Sequence, residues 1–262
     1  MICPLCSSKK NINIFIASNV HGRIKYGQEK VTILKCVDCQ CIFPDVGVNS
    51  KYYKKFYPKH YQQASSFLEK FWVSLNHRRK RKYLPQKGDL LDIGCGNGEF
   101  INQLPKSLKS VGIDLNPIEI SQKNILQKDF LKYKFTQKFD VITFWHSLEH
   151  FSDPHKTITK ALSLLKPKGK LVISIPNTNS LSFKIGQKYW YHLDAPRHIF
   201  LPNENNIKKL FGNSYKIKIE YTPFEFPLDL FWSLKTKPLY RLLYPILKIF
   251  DRETMIISVV KP

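Results

Sequence analysis

A glycine-rich stretch, LLDIGCGNGEF, is the part of the sequence whose residue types most clearly point to ligand binding. It has glycine at three alternate positions, Gly94, Gly96 and Gly98. A dinucleotide-binding loop has glycine at its first, third and sixth positions, whereas the sixth position here is Glu99. Asp92 stands just before the first glycine, where a carboxylate suits a cation better than a phosphate. The stretch therefore fits S-adenosylmethionine, which carries an ammonium and a sulfonium and no phosphate, better than NAD.

Two later acids extend this cofactor hypothesis. Asp114 ends the segment VGID, about twenty residues on, where a carboxylate at a strand end can accept hydrogen bonds from ribose hydroxyls. Asp129 and Phe130 could supply an acceptor for the adenine amino group and an apolar surface for its ring. A buried phenylalanine beside a surface aspartate is the alternative for that pair.

A first set of candidate catalytic residues lies in HSLEH: His146, Glu149 and His150. Their spacing predicts that all three share one face of a turn. If the ligand is S-adenosylmethionine, the expected reaction is transfer of its methyl group to an acceptor. The acceptor must then be aligned behind the methyl group, and a base within hydrogen-bond reach helps when the acceptor carries a proton. Bracing of the turn is the alternative role for Glu149 and His150.

A second set lies in YWYHLDAPRHIFLP: His192, Asp194, Arg197 and His198. We expect Asp194 or His198 to act as a base and Arg197 to bind an anionic group of the acceptor. The alternative is a polar network that caps the following segment, NENNIKKLF.

Two CxxC pairs near the start of the chain predict a structural zinc site. Cys3 and Cys6 form CPLC, and Cys36 and Cys39 form CVDC. Four thiolates with this spacing can surround one tetrahedral ion, and a segment this small needs the metal to fold. The alternating residues between the pairs predict short strands and a hairpin. Cys41 and His21 are weaker ligand candidates, and a buried small residue is the expected role of Cys41.

The elements that position these residues follow from hydrophobic patterning. Short apolar runs alternate with longer amphipathic ones, which predicts an α/β fold with an open, doubly wound sheet. Ligands bind such sheets beyond the carboxyl ends of the strands. The expected strands are Leu90–Ile93, Ser110–Asp114, Val141–Trp145, Lys170–Ile175, Tyr215–Tyr221 and Met255–Val260. Apolar spacing from Ser65 to Lys82 predicts a helix, and tyrosines from Tyr53 to Tyr61 could line the mouth of a pocket.

The combination of DIGCGNG, GIDLNP, FDVITFWHSLEHFSDP and LLKPKGKLVISIPN resembles the class I S-adenosylmethionine-dependent methyltransferase family. The N-terminal part resembles a ribbon that precedes this domain in a bacterial subgroup often associated with sugar or cell-surface glycan pathways. The resemblance implies a seven-stranded, mostly parallel sheet whose last two strands form an antiparallel hairpin. It also implies cofactor binding by the glycine loop and by Asp92, Asp114, Leu115, Trp145 and His146. The expected division is a zinc ribbon over residues 1–45, an aromatic-rich helical linker over 46–86 and the methyltransferase domain over 87–262.

One departure from the family pattern is a long connection between the last two strands, at about residues 222–251. Its aromatic and leucine-rich sequence, interrupted by prolines, favours helices that cover the sheet edge as part of a substrate lid. A basic amphipathic face resting on a membrane surface is the alternative.

Composition narrows the function classes. The chain has 262 residues and a formal net charge of +22, enough to attract RNA, acidic substrates or an anionic membrane surface. No apolar run is long enough to cross a bilayer and no export signal is evident, so a cytoplasmic protein is expected. The leading hypothesis is O- or N-methylation of a sugar, nucleotide-sugar or lipid-linked small acceptor. RNA base methylation and non-catalytic binding of a cofactor or partner are the alternatives.

Overall fold

The computed structural model describes residues 1–18, 30–48, 67–115, 124–212, 214–222 and 251–262. These residues form a three-stranded sheet near the N-terminus and a seven-stranded sheet in the rest of the chain. His21, Tyr53 to Tyr61 and residues 223–250 of the long connection lie outside the described residues. None of the described helices is both long and apolar enough to span a membrane.

The N-terminal sheet consists of β1 (Asn11–Ser18), β2 (Lys30–Cys36) and β3 (Ile42–Pro44), in that order and antiparallel throughout. Buried and more exposed residues largely alternate along β2, as expected for a strand with one face packed on a core. The CPLC segment precedes β1, and CVDC begins at the last residue of β2. The expectation of short strands between two cysteine pairs is therefore confirmed.

The larger sheet is built from seven strands: β4 (Gly88–Ile93), β5 (Leu108–Asp114), β6 (Ile125–Gln127), β7 (Phe139–Trp145), β8 (Leu165–Pro176), β9 (Lys216–Thr222) and β10 (Thr254–Val260). Their spatial order is β6-β5-β4-β7-β8-β10-β9. Neighbours from β6 to β8 pair in parallel, and β10 pairs antiparallel with both β8 and β9. This confirms the predicted doubly wound, mostly parallel sheet with an antiparallel pair at its end.

The described residues form four helices, α1 (Phe67–Arg81), α2 (Glu99–Asn102), α3 (Pro154–Leu164) and α4 (Leu181–Gly186), together with short 3₁₀ segments at Leu148–His150, Gln187–Tyr189, Tyr191–Leu193 and Ile207–Leu210. The predicted helix between Ser65 and Lys82 is confirmed as α1. Helix α3 begins where Asp153 accepts a hydrogen bond from the Lys156 N–H, with proline at the first helical position.

The order of the strands reverses between β4 and β7. From β4 the chain first adds β5 and β6 on one side and then crosses to β7 and β8 on the other. In open sheets of this kind, the crevice at the carboxyl ends of the two strands that flank the reversal is where ligands bind. Those ends are Ile93 and Trp145, which places both HSLEH and the glycine stretch at the crevice.

The N-terminal sheet shares its hydrophobic core with the larger one. Cys3, Leu5 and Phe43 belong to the same buried cluster as Phe200 and Ile207. Backbone hydrogen bonds join the two parts as well, because the Ile42 N–H donates to the Leu201 carbonyl and the Leu201 N–H donates to the Ile42 carbonyl. The boundary expected near residue 45 is therefore crossed by a continuous core.

Candidate functional site

The glycine stretch forms a tight loop between β4 and α2. Gly94, Gly96 and Gly98 all have positive φ, at 74°, 57° and 78°. A Cβ on Gly94 would lie 2.4 Å from the Cβ of Ser147, and one on Gly98 would lie 2.6 Å from Cδ1 of Ile125. At Gly96 no atom of the described residues, its chain neighbours apart, lies within 4 Å of such a Cβ, so within this part of the chain the loop backbone faces open space. Packing thus accounts for two of the glycines, and close approach of a ligand would account for the third.

Asp114 lies directly beside this loop. Its Oδ2 accepts a hydrogen bond from the Gly96 N–H at 2.9 Å. Leu115, the next residue, is 44% exposed. The predicted ribose-binding carboxylate is thereby held at the carboxyl end of β5, next to the open face of Gly96.

Asp92 is buried in β4 immediately before the loop, at 3% exposure. Its Oδ1 accepts a hydrogen bond from Oγ1 of Thr143 in β7 at 2.7 Å. Burial raises the pKa of Asp92 from 3.8 to about 7, against the opposing effects of the Thr143 hydrogen bond and the Lys80 charge. Thr143 was missed by sequence reasoning, although a hydroxyl within the apolar run DVITFW is a detectable signal.

Trp145 ends β7 beside the basic end of α1. Its ring packs edge-on against Phe100, with centroids 5.5 Å apart, and the Nζ of Lys80 lies 5.1 Å from the Trp145 ring centroid. A small cleft here is lined by Asn76, Arg79, Lys80, Tyr83, Trp145, Thr222 and Ile256. This part of the site therefore already accommodates one cation against aromatic rings.

Asp129 and Phe130 follow β6. Oδ1 of Asp129 accepts a hydrogen bond from the Leu131 N–H at 2.9 Å. The Phe130 side chain is 3% exposed and packs with the rings of Phe144 and Phe151. The structure thus places this phenylalanine in the core, which is the alternative role considered for it. Adenine recognition by this pair stays a prediction.

His146 occupies a strained position at the end of β7, with φ of 51°. Its Nε2 lies 3.1 Å from Oγ of Ser174, and its Nδ1 lies 3.4 Å from Oε1 of Glu149. The predicted sharing of one turn by His146 and Glu149 is therefore observed. Ser174, a buried hydroxyl in β8, is a further residue that sequence reasoning did not identify.

The two sets of candidate catalytic residues form one cluster, in which Glu149 and His198 are buried and His146 and His150 are half-buried. Nε2 of His198 lies 3.9 Å from Oε1 of Glu149, and the rings of His150 and His198 have centroids 4.8 Å apart. The backbone also joins the two segments, because the Ile199 N–H donates to the Glu149 carbonyl at 2.8 Å. Residues about fifty positions apart in sequence are thus brought together by the packing of the segment after β8 against the turn after β7.

Burial determines the charges within this cluster. It lowers the pKa of His150 to about 4 and also lowers the pKa of His198, so both imidazoles are neutral at pH 7. Burial alone would raise the pKa of Glu149, but the opposing effects, of which the interaction with His146 is the largest, lower it. The cluster therefore contains a buried carboxylate beside two neutral rings.

Arg197 and Asp194 form a buried ion pair within the same loop. Oδ2 of Asp194 lies 2.7 Å from Nε and 2.5 Å from Nη2 of Arg197, and both residues are less than 10% exposed. This geometry favours a role for Arg197 in holding the loop in place. It is less suited to the expected binding of an acceptor anion. The following segment is capped separately, since Oδ1 of Asn203 accepts from the N–H groups of Asn205 and Asn206.

Glu253 is a further buried acid that sequence reasoning missed. Its Oε1 accepts a hydrogen bond from Nε1 of Trp190 at 3.2 Å and lies 3.7 Å from Nε2 of His192. The His192 ring stacks on that of His146, with centroids 5.7 Å apart. The start of β10 is thereby connected to the turn after β7 through this chain of contacts.

The four predicted zinc ligands converge. The Sγ atoms of Cys3, Cys6, Cys36 and Cys39 all lie within 4.8 Å of one another. Zn–S bonds of about 2.3 Å place tetrahedral thiolates about 3.8 Å apart, so this arrangement fits zinc. Cys41 is fully buried with its Sγ 3.6 Å from the Leu201 carbonyl oxygen, consistent with its expected role as a small buried residue.

Comparison with known proteins identifies the larger part of the chain. Residues 61–214, more than half of the chain, match a methyltransferase-domain family. A ubiquinone biosynthesis O-methyltransferase of Coxiella burnetii is 34% identical over 133 residues, which cover 43% of this chain and 57% of that relative. The chain thus spans little more than half the length of this relative.

Solved structures share the fold at lower identity. A phosphoethanolamine N-methyltransferase of Haemonchus contortus, in complex with S-adenosylmethionine, superposes with a TM-score of 0.53 at 17% identity, covering 96% of this chain and 68% of the other. The [4+2]-cyclase SpnF superposes with a TM-score of 0.54 at 16% identity, covering 77% and 84%. The sequence match and the seven-stranded sheet together place this chain in the methyltransferase-domain family, with the fold of the class I S-adenosylmethionine-dependent methyltransferases.

Proposed function

We propose that this chain is an S-adenosylmethionine-dependent methyltransferase that acts on a hydroxyl or amine of a small acceptor. The observation that carries this proposal is the position of two acids around an open glycine backbone. Asp114 accepts from the Gly96 N–H, and Asp92 is buried directly before the loop. Carboxylates there can bind ribose hydroxyls and balance a cationic ligand, and no basic residue of the loop favours a phosphate.

Each candidate cofactor residue has a proposed part in this site. Gly94 and Gly98 allow the tight loop, and Gly96 leaves its open face to the ligand. Asp114 and Leu115 are proposed to contact the ribose side, and Asp129 the adenine side. Trp145 and His146, at the end of β7, are proposed to border the methyl group. The bound cofactor supplies an activated methyl group, and the residues of the chain align the acceptor behind it.

The acceptor side is proposed to be the turn after β7 and the loop that packs on it. Two histidines, His146 and His198, pair with Glu149. The His146 side chain is the more exposed of the two, at 16%. The deeper residues, His198, Asp194 and Arg197, are positioned to hold this wall rather than to meet an acceptor directly. A neutral histidine here could accept the proton of an acceptor hydroxyl.

The acceptor class rests on similarity rather than on site geometry. Relatives named as ubiquinone biosynthesis O-methyltransferases support an oxygen acceptor. The resemblance of the N-terminal ribbon supports a sugar, nucleotide-sugar or lipid-linked acceptor. We propose O-methylation of a small acceptor of this kind, with N-methylation as the second candidate.

The proposal is tested by calorimetric titration of the zinc-loaded protein with S-adenosylmethionine. We expect micromolar binding, with a loss of at least tenfold in affinity for Asp114→Ala. Glu99→Gln is the matched control, because it removes an equal charge at the exposed first residue of α2, directly after the glycine loop. Absence of binding by the folded protein would contradict the proposal. Because a solved structure named as a cyclase shares this fold, the fold alone does not establish methyl transfer.

A further inference from the structure

We propose that Glu149, His150 and His198 form a second metal site, which takes a divalent first-row transition ion through one carboxylate and two imidazoles. The site is separate from the four cysteines and does not depend on methyl transfer. It would lie in the wall of the proposed acceptor site, between the turn after β7 and the loop after β8.

The geometry of the three side chains is close to that of a metal site. One potential ligand atom from each residue lies within 4.8 Å of the others. Zinc bonds of about 2.0–2.1 Å to nitrogen and oxygen place tetrahedral ligands about 3.3 Å apart. Nε2 of His198 and Oε1 of Glu149 are 3.9 Å apart, so small side-chain movements would complete the site.

Backbone carbonyls orient both histidines for coordination. Nδ1 of His198 lies 2.6 Å from the His192 carbonyl oxygen, and Nδ1 of His150 lies 3.0 Å from that of Arg197. A carbonyl only accepts hydrogen bonds, so Nδ1 must carry the proton in each ring. Nε2 is then the nitrogen with the lone pair, and in His198 it faces Glu149. Metal-binding histidines are commonly fixed in this way by a second hydrogen bond.

Glu149 provides the independent observation that a cation belongs here. Its side chain is completely buried, and within the described part of the chain neither carboxylate oxygen accepts a hydrogen bond. His146 Nδ1 is 3.4 Å from Oε1 of Glu149. The Nε2 of His198 that faces Glu149 carries no proton to donate, because Nδ1 of that ring holds it. Burying a carboxylate whose oxygens accept no hydrogen bond from the described residues is costly, and a bound cation would reduce that cost.

The surroundings support the assignment. The charge of Arg197 is already balanced by Asp194, whose Oδ2 also lies 3.9 Å from Nε2 of His198. Two nitrogens with one oxygen suit zinc, iron or cobalt better than calcium or magnesium.

The test is a metal count on the full chain. The protein is stripped under reducing conditions, reloaded with zinc, dialysed and measured by mass spectrometry, with no methyl donor or acceptor present. We expect two ions per chain for the wild type and one for Glu149→Gln or His198→Gln. Glu253→Gln is the matched control, because it neutralises an equally buried acid beside His192 and should keep both ions.

Cobalt loading assigns each ion and checks folding. The four-cysteine site gives intense thiolate-to-cobalt absorption, which should be unchanged in Glu149→Gln, whereas the weaker bands of the second site should disappear. Equal metal counts in wild type and Glu149→Gln, with intact thiolate absorption in both, would overturn the proposal. Failure to bind S-adenosylmethionine would leave this count unaffected, so the two proposals fail separately.

Discussion

The Gly96 N–H donates a hydrogen bond to Oδ2 of Asp114 at 2.9 Å, joining the glycine loop to the end of the neighbouring strand. The loop and the acid come from β4 and β5, which pair in parallel up to Ile93 and Ile113. Because parallel strands end at the same edge of the sheet, the residues that follow β4 lie directly beside the last residue of β5. The proposed cofactor site is thus organised by the sheet itself, and ligand binding need not order it.

The three glycines of the loop are not equivalent to substitution. Gly94→Ala places Cβ 2.4 Å from Ser147 Cβ, in addition to a positive φ that costs about 1–2 kcal/mol. Gly96→Ala incurs only the backbone cost, because its Cβ would meet open space. We expect Gly94→Ala to lower the free energy of unfolding by more than Gly96→Ala, measured by urea denaturation.

The same two variants distinguish an effect on stability from an effect on cofactor binding. Gly96→Ala should retain a folded protein yet weaken S-adenosylmethionine binding by at least tenfold, because the new methyl projects into the proposed ligand space. Full affinity in a folded Gly96→Ala protein would show that the ligand does not approach this backbone.

Cofactor affinity should depend on pH through Asp92. Its pKa, raised by burial from 3.8 to about 7, means that the protonated carboxyl is favoured in the unliganded fold below pH 7. A cationic ligand favours the carboxylate, so binding must displace a proton at low pH. We expect the dissociation constant to rise as pH falls below 7, by up to about tenfold per unit, in calorimetric titrations.

The isosteric Asp92→Asn variant is the control for this dependence. It can still accept a hydrogen bond from Thr143, but it does not titrate. We expect weak binding with a flat pH profile. The free energy of unfolding should change with pH in the opposite sense to that of a protein with a salt-bridged acid. The unliganded wild type should lose stability as pH rises from about 4 to about 7, and the variant should not. An unchanged profile in the variant would assign the pH dependence to another group.

The strands that carry the site were predictable because their apolar runs are long enough to be recognised as buried strands. Strands β4, β5, β7, β8, β9 and β10 were all expected, within a few residues at most ends. The start of β8 at Leu165 lies five residues earlier than expected, since KPKG reads as a turn. Strand β6 has only three residues, Ile125–Gln127, and no periodicity can identify so short an element.

The candidate site was predictable as a list of residues but not as an arrangement. The sequence predicts HSLEH and the loop around His198 as two separate sets of candidates, and the structure joins them through the backbone contact of Ile199 with Glu149. That contact depends on how the segment after β8 folds back, which is a tertiary property. Likewise, Thr143 and Glu253 acquire their significance only from partners far away in sequence.

Metal loading of the four-cysteine site should control the mobility of the loop after His198. Leu201 exchanges backbone hydrogen bonds with Ile42, and Nδ2 of Asn206 donates to the Cys39 carbonyl at 3.0 Å. Loss of the ion should release the Cys39 turn and weaken both contacts. We expect hydrogen exchange of the Leu201 amide in Glu149→Gln, which should hold only the four-cysteine ion, to speed up at least tenfold after chelation under reducing conditions.

A residue of the central sheet provides the internal reference for this measurement. Ile173 lies in β8 between β7 and β10 and should keep its protection. Equal exchange at Leu201 with and without the ion would show that the ribbon packs on the domain without governing the loop. Faster exchange at both residues would indicate global unfolding instead.

The Arg197–Asp194 pair should contribute to stability as a unit. Both side chains are at least 90% buried, so removing one partner deprives the other buried charge of its opposite charge within the loop, at a cost of about 3–5 kcal/mol. Asp194 has a left-handed backbone conformation, with φ of 30°, that asparagine tolerates well, so Asp194→Asn removes the charge with little backbone penalty. We expect Asp194→Asn and Arg197→Met each to be strongly destabilising in urea denaturation.

The double variant distinguishes a charge pair from two independent contacts. Once both charges are gone, neither residue carries a charge that the other would have balanced, so Asp194→Asn with Arg197→Met should be less destabilised than the sum of the single variants by about 1–3 kcal/mol. Additive effects would instead mean that each residue acts through its own packing. Because neither side chain belongs to the glycine loop, S-adenosylmethionine affinity should change less than threefold in every folded variant. A large loss of affinity would extend the cofactor site to this loop.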